Sequence, residues 1–170
     1  MLAYLFLAVA IAFRFLPHPM NFTPLAASLL YFGAKMPRQQ AWIPVALFAA
    51  VDVILNRMYG YEFSLDYLAT WAFYAAMVGL GMLLVSKSSP LRIAGASLAG
   101  SVSFFVLSNF MVWAGWSMYP RNVAGLIECY AAAVPFFRNT VASDLIFAGA
   151  FFGLSALVAS HSEKTVKHAA

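Results

Sequence analysis

Ionisable side chains are scarce in this sequence, and those set within its apolar runs fall in three places. The first is Asp52, in Ala-Ala-Val-Asp-Val-Ile-Leu-Asn-Arg, with Asn56 one helical turn on and therefore on the same face. A carboxylate in an apolar helix costs about 2.5–3.5 kcal/mol on insertion scales, so it turns inward and takes a partner. A ligand amine or hydroxyl, or a coupling cation, would offset that cost. Arg14 or Arg57 would do the same as a structural ion pair, and both readings stand at this level.

The second place is Arg14-Phe-Leu-Pro-His-Pro-Met-Asn-Phe-Thr-Pro24. Three prolines break the helix between two apolar runs and leave backbone carbonyls that must be buried in protein or line a cavity. Arg14, His18, Asn21 and Thr23 supply polar groups there. One reading is a ligand-facing loop packed into a bundle. The other is a tight outer turn with a snorkelling Arg14 and a helix capped near Asn21 or Thr23.

The third place runs from Met118-Tyr-Pro-Arg-Asn122 through Cys129-Tyr-Ala-Ala-Ala-Val-Pro-Phe-Phe-Arg-Asn-Thr140 to Ser143-Asp144. Asn139 or Thr140 is suited to cap the last helix, with Asp144 in its first turn at the positive end of the dipole. Alternatively Arg121, Arg138, Asn139 and Asp144, beside Tyr130, Phe136 and Phe137, give the mix of aromatic walls and convergent polar groups that a small-molecule pocket needs. Asn109, inside the fifth apolar run, either bonds across helices or meets a ligand. Cys129 reads as a small buried hydrophobe, with a metal ligand or reactive thiol as the alternative. Trp113, Trp116 and Tyr119 suit an outer interface belt, and Trp42 and Trp71 suit packing or that belt.

These residues must be positioned by helices in a membrane. Of 170 residues, 64% are hydrophobic and only 9% charged, against about 25% in a soluble domain. Mean hydropathy is +0.82. Six apolar segments stand out: Leu2–Leu16, Phe22–Ala34, Ala41–Leu55, Tyr67–Val85, Ile93–Trp116 and Val141–Ser160. A full span takes about 20 residues, which the last three reach and the first three do not. Val123–Val134, short and carrying Glu128, is expected as an extra interfacial or re-entrant helix before the last span. The expected architecture is thus an all-α bundle of about six transmembrane helices over residues 1–160, with a short cytoplasmic tail at 161–170.

Loop charge orients it. If all six segments cross, Lys35 with Arg38, Lys87 with Arg92, and Lys164 with Lys167 share one side, which is cytoplasmic by the positive-inside rule. Both termini lie on that side. The opposite loops carry mixed charge: Arg14 with His18, Arg57 with Glu62 and Asp66, and Arg121 with Glu128 and Arg138. The first residues lack a basic leader, so they are expected to stay as a helix. Within that helix Ala8 and Ala12 form a small-xxx-small face open to a partner helix.

Other classes find no footing. A lone cysteine excludes an internal disulfide framework. The basic residues make no stripe for nucleic acid. No phosphate-binding loop, zincin motif or nucleophile elbow occurs, so no ATPase activity and no cofactor is expected. Three functional classes remain: a ligand-binding subunit, a membrane enzyme using His18, Asp52 and Asp144, and an assembly subunit of a larger complex.

The motifs Arg14-Phe-Leu-Pro-His-Pro-x-Asn-Phe-Thr-Pro24 and Met118-Tyr-Pro-Arg…Gly125-Leu-Ile-Glu-Cys-Tyr…Pro135-Phe-Phe-Arg-Asn-Thr140…Asp144 resemble an uncharacterised bacterial membrane family. That family is similar in length, helix number and polar outer loops to the substrate-binding S components of energy-coupling-factor vitamin transporters. The resemblance implies a plasma-membrane bundle with an outward pocket roofed by the loops after helices one, three and five. It implies a vitamin-like ligand, lipid around the bundle, a coupling subunit docked at Ala8 and Ala12, and ATPases as separate proteins. Some S-like proteins handle corrinoids, which would give Cys129 a ligand's role.

Overall fold

The computed structural model describes residues 1–60, 66–84 and 88–169, with the side chains of Asp66 and of residues 163–169 left aside. Glu62, Val85 and Lys87 therefore lie outside the described residues, as do the side chains of Glu163, Lys164, Lys167 and His168. Six α-helices follow one another: α1 (Leu2–Phe13), α2 (Leu25–Lys35), α3 (Trp42–Tyr59), α4 (Asp66–Met82), α5 (Pro90–Gly115) and α6 (Val123–Ala169). A 3-10 turn at Arg38–Gln40 leads into α3, and no strand occurs among the described residues.

Helix α2 is the hub. Every residue from Ala26 to Ala34 is buried, the pattern of a helix that is apolar all round and enclosed by others. It packs on α4, α6 and α1. Two glycines permit the approach to α4. A Cβ on Gly33 would fall 2.0 Å from the Val78 carbonyl oxygen, and one on Gly81 would fall 2.2 Å from that of Leu30. Such backbone proximity is how helices associate where the surroundings offer no hydrophobic drive. Helix α1 covers α2 with Ala3, Phe6, Leu7 and Ala10, spaced to make one helical face. There Phe6 stacks on Phe151 of α6 with ring centroids 4.1 Å apart, and Tyr31 meets Phe152 edge-on at 5.0 Å.

Three stretches are long and apolar enough to cross a membrane: Arg38–Tyr59, Pro90–Gly115 and Val123–Ser162. The apolar helices Leu2–Phe13, Leu25–Lys35 and Tyr67–Met82 are shorter. At 1.5 Å per residue, α1 and α2 reach only about 16–18 Å. The six expected apolar segments are all helical, but their lengths differ from expectation: the third, expected to be short, belongs to a stretch long enough to span, and the fourth, expected to span, is among the shorter helices.

The last helix departs from expectation. Val123–Val134 is not a separate interfacial helix but the opening of α6, a single helix of 47 residues. It begins at Asn122, whose Oδ1 accepts from the Gly125 amide at 2.9 Å. Pro135 lies inside it. A proline withholds one amide from the ladder, but here the flanking turns are clamped to α5. Tyr130 Oη donates to the Val106 carbonyl at 2.6 Å, and Phe105 packs on Phe137 at 4.6 Å. Asn139, Thr140 and Asp144 are consequently mid-helix. The expected cap at Asn139 or Thr140 does not exist, and Asp144 gains nothing from a helix terminus. The residues after Ser160 continue the helix to Ala169.

Candidate functional site

Where α1 ends, Arg14 continues the helical backbone as its C-cap and reaches across to α3 and α4. Its Nη2 donates to Asp52 Oδ1 at 2.6 Å, and its Nη1 donates to Tyr74 Oη at 3.2 Å. Tyr74 Oη in turn donates to Asp52 Oδ2 at 3.1 Å, and Trp71 Nε1 donates to the same oxygen at 3.1 Å. Asp52 is 4% exposed and Arg14 22%. Both carboxylate oxygens are thus engaged and the charge is matched, as a buried ion pair requires. Arg57, the other candidate partner, is exposed. Asn56, one turn along, is buried and accepts from Tyr67 Oη at 2.7 Å.

In front of this cluster lies a cavity of about 230 Å³. Arg14, His18, Asn21 and Thr23 border it from the proline-rich loop, Thr70, Phe73 and Tyr74 from α4, Phe104 from α5, and Thr140 and Asp144 from α6. The loop is fastened to α6: Asn139 Nδ2 donates to the Met20 carbonyl at 3.0 Å, and Ser143 Oγ donates to that of Asn21 at 3.4 Å. Asn21 itself has φ 58°, a left-handed turn that asparagine tolerates. Phe13 and Phe22 both pack on Phe147 beneath the loop. Helix α2 starts at Pro24 without a side-chain cap, so Asn21 and Thr23 are cavity residues rather than caps.

Asp144 differs from Asp52. It is equally buried, at 4% exposed, but its hydrogen-bond partner is neutral: Ser101 Oγ of α5, which lies 2.7 Å from Oδ2 and 3.1 Å from the Ser97 carbonyl and has one proton to share between them. No basic side chain lies within ion-pair distance of it among the described residues. His18 is occupied within its own loop, Nδ1 lying 2.9 Å from the Pro19 carbonyl.

Two further spaces adjoin the cavity. Asn109 lines a smaller one of about 190 Å³ with Phe105, Phe136 and Phe137, and Asn21, Phe104 and Thr140 border both. The Asn109 amide is directed to its own helix, Nδ2 donating to the Phe105 carbonyl at 2.7 Å. An apolar groove of about 590 Å³ opens between α4 and α5, sharing Thr70, Phe73 and Phe104 with the cavity. The Phe73 and Phe104 rings, 4.8 Å apart, stand between groove and cavity.

The remaining sequence candidates sit elsewhere. Arg121 is exposed, and so is Arg138, which borders a surface depression with Asn139. Tyr130 serves the α5–α6 contact. Cys129 is buried, its thiol directed to the Asn109 carbonyl at 3.4 Å, and no group of three potential metal ligands forms among the described residues. Ala8 and Ala12 are both exposed on α1.

Sequence reasoning missed Trp71, Tyr74 and Ser101. Their signals were present. Tyr67, Trp71 and Tyr74 recur on one face of α4 with polar tips, and Ser97 and Ser101 do so on α5. No curated protein and no solved structure matches the chain. Residues 1–166 match a family of unknown function, DUF6580, and the chain belongs to that family.

Proposed function

We propose that this protein is a multi-pass membrane protein of the bacterial plasma membrane that binds a small molecule for uptake, without ATPase activity of its own. The observation that carries the reading is the cavity itself. Polar groups from the proline-rich loop, α4 and α6 converge on one space with aromatic walls from α4 and α5, the usual make-up of a ligand site. At about 230 Å³ it holds roughly eight waters' worth of volume, which suits a small metabolite.

A membrane setting is supported by the three long apolar stretches and by exposed Leu5, Leu47, Leu98, Leu107 and Leu157 along the helices. Lys35, Arg38 and Arg92 sit at the helix ends opposite the loop that covers the cavity, so the positive-inside rule turns the cavity outward. The resemblance to S components extends the reading: a separate coupling subunit would dock on Ala8 and Ala12, and separate ATPases would drive release. The enzyme reading is the weaker one, because Asp52 is engaged by Arg14, Trp71 and Tyr74, and His18 and Asp144, although both border the cavity, are each hydrogen-bonded to other groups.

The test is a thermal-shift screen of the detergent-purified protein against a library of small metabolites. At least one compound is expected to raise Tm, and Thr70→Phe, which fills the cavity from α4, is expected to abolish that rise while the protein stays folded. A library without a hit, or a hit indifferent to Thr70→Phe, would remove the reading.

A further inference from the structure

The charges around the cavity do not cancel. Arg14 is matched by Asp52 at 2.6 Å. Asp144 on the facing wall has only the neutral Ser101 hydroxyl, at 2.7 Å. Of the other ionisable groups that line the cavity, Arg14 is taken up by Asp52 and His18 is held in its own loop, so an ionised Asp144 meets no counter-charge among the described residues. Asp144 is buried to 4% exposure and lines the cavity. It sits mid-helix, where no dipole end offsets it. A buried carboxyl either takes up a proton or finds a cationic partner, and the cavity in front of Asp144 is the space from which such a partner would come.

The walls specify the kind of cation. Phe73, Tyr74 and Phe104 present aromatic rings to the same cavity, and ring faces attract organic cations. The volume, about 230 Å³, exceeds what a bare metal ion needs. Thr23, Thr70 and Thr140 add hydroxyls that accept from an N–H. We propose that the Asp144 cavity takes a small organic monocation, a primary amine or protonated heterocycle, with its N–H group on the Asp144 carboxylate and its carbon skeleton against Phe73 and Phe104. This rests on the ligand-binding reading above and names the ligand class for it.

The experiment is calorimetric titration of the protein in nanodiscs with matched probes. These are n-butylammonium, benzylammonium and phenylethylammonium, each beside the corresponding alcohol and carboxylate, together with sodium chloride alone. At least one ammonium probe is expected to bind at least about thirtyfold more tightly than its alcohol and carboxylate. Asp144→Asn is expected to erase that preference, since truncating one partner of a buried charge pair has effects of this size or larger. The selectivity within the wild-type protein is itself decisive, so the test survives a variant that fails to fold. If alcohols or carboxylates bind as well as the ammonium ions, the cation inference is wrong and the cavity reading stands. Binding of sodium alone, dependent on Asp144 and with no ammonium bound, also overturns it in favour of an inorganic ion site. If no probe binds and the metabolite screen is empty as well, both readings fall.

Discussion

Two aspartates of equal burial, Asp144 lining the cavity and Asp52 in the ion-pair cluster behind Arg14 and Tyr74, have surroundings that give them opposite consequences. Asp52 receives Arg14, Trp71 and Tyr74, so removing it leaves a partly buried guanidinium without its counter-charge. Asp52→Ala is expected to lower stability by about 3–5 kcal/mol, the usual result of breaking a buried pair from one side. Asp144 has no counter-charge to strand. Asp144→Asn keeps a hydrogen-bonding partner for Ser101 and deletes an uncompensated charge, so the ligand-free variant is expected to melt no lower than the wild type. Thermal unfolding of the two variants in one detergent checks the contrast. Equal losses would mean that Asp144 is held by the fold rather than reserved for a ligand.

At the scale of elements, the site depends on how closely α2 and α4 approach. Gly33 and Gly81 allow it, each facing a backbone carbonyl on the other helix. Gly33→Ala would drive a methyl into the Val78 carbonyl, which backbone cannot yield cheaply. The expected cost is at least about 1–3 kcal/mol, the range for overpacking, with α4 displaced and Tyr74 drawn off Asp52. Gly79 is the control, for its added Cβ would meet nothing within 4 Å. Gly79→Ala is expected to be neutral or to stabilise by about 0.5–1 kcal/mol, as alanine does within a helix. Denaturation of both variants decides whether this glycine contact, rather than glycine content in general, sets the α2–α4 distance.

The whole molecule is set by unequal helix lengths. Helix α6, with 47 residues, is about 70 Å long, well beyond a bilayer of about 40–45 Å including headgroups. Helices α1 and α2 are far shorter than a span, yet α2 is wholly enclosed. They form a hairpin that lines the bundle and lends its connecting loop to the cavity. Under the proposed orientation Gln39→Cys and Ser117→Cys report opposite faces, since they flank the near end of α3 and the far end of α5. A membrane-impermeant maleimide added to intact cells is expected to label Ser117→Cys and to spare Gln39→Cys. The reverse pattern would turn the cavity inward and exclude uptake from outside.

The sequence by itself determined the helical class, the helix number, and the polar segments from which the site is drawn. Those follow from composition, apolar run length and proline placement, all of which act locally. Arg14, Asp52 and Asp144 were legible as residues that need partners, because burial of charge is costly wherever it occurs. Which partner each one has was decided only by the tertiary structure. Asp52 chose Arg14 over Arg57 because the end of α1 meets the α3–α4 contact, a relation without a signature in chain spacing. Val123–Val134 reads in the sequence as a separate short helix that stops before Pro135, but packing of Phe105 against Tyr130 and Phe137 across α5 and α6 accompanies one helix that runs through the proline. That continuity moved Asp144 from an expected helix end to a helix middle. There its carboxyl faces a cavity with neither a helix terminus nor a basic partner beside it.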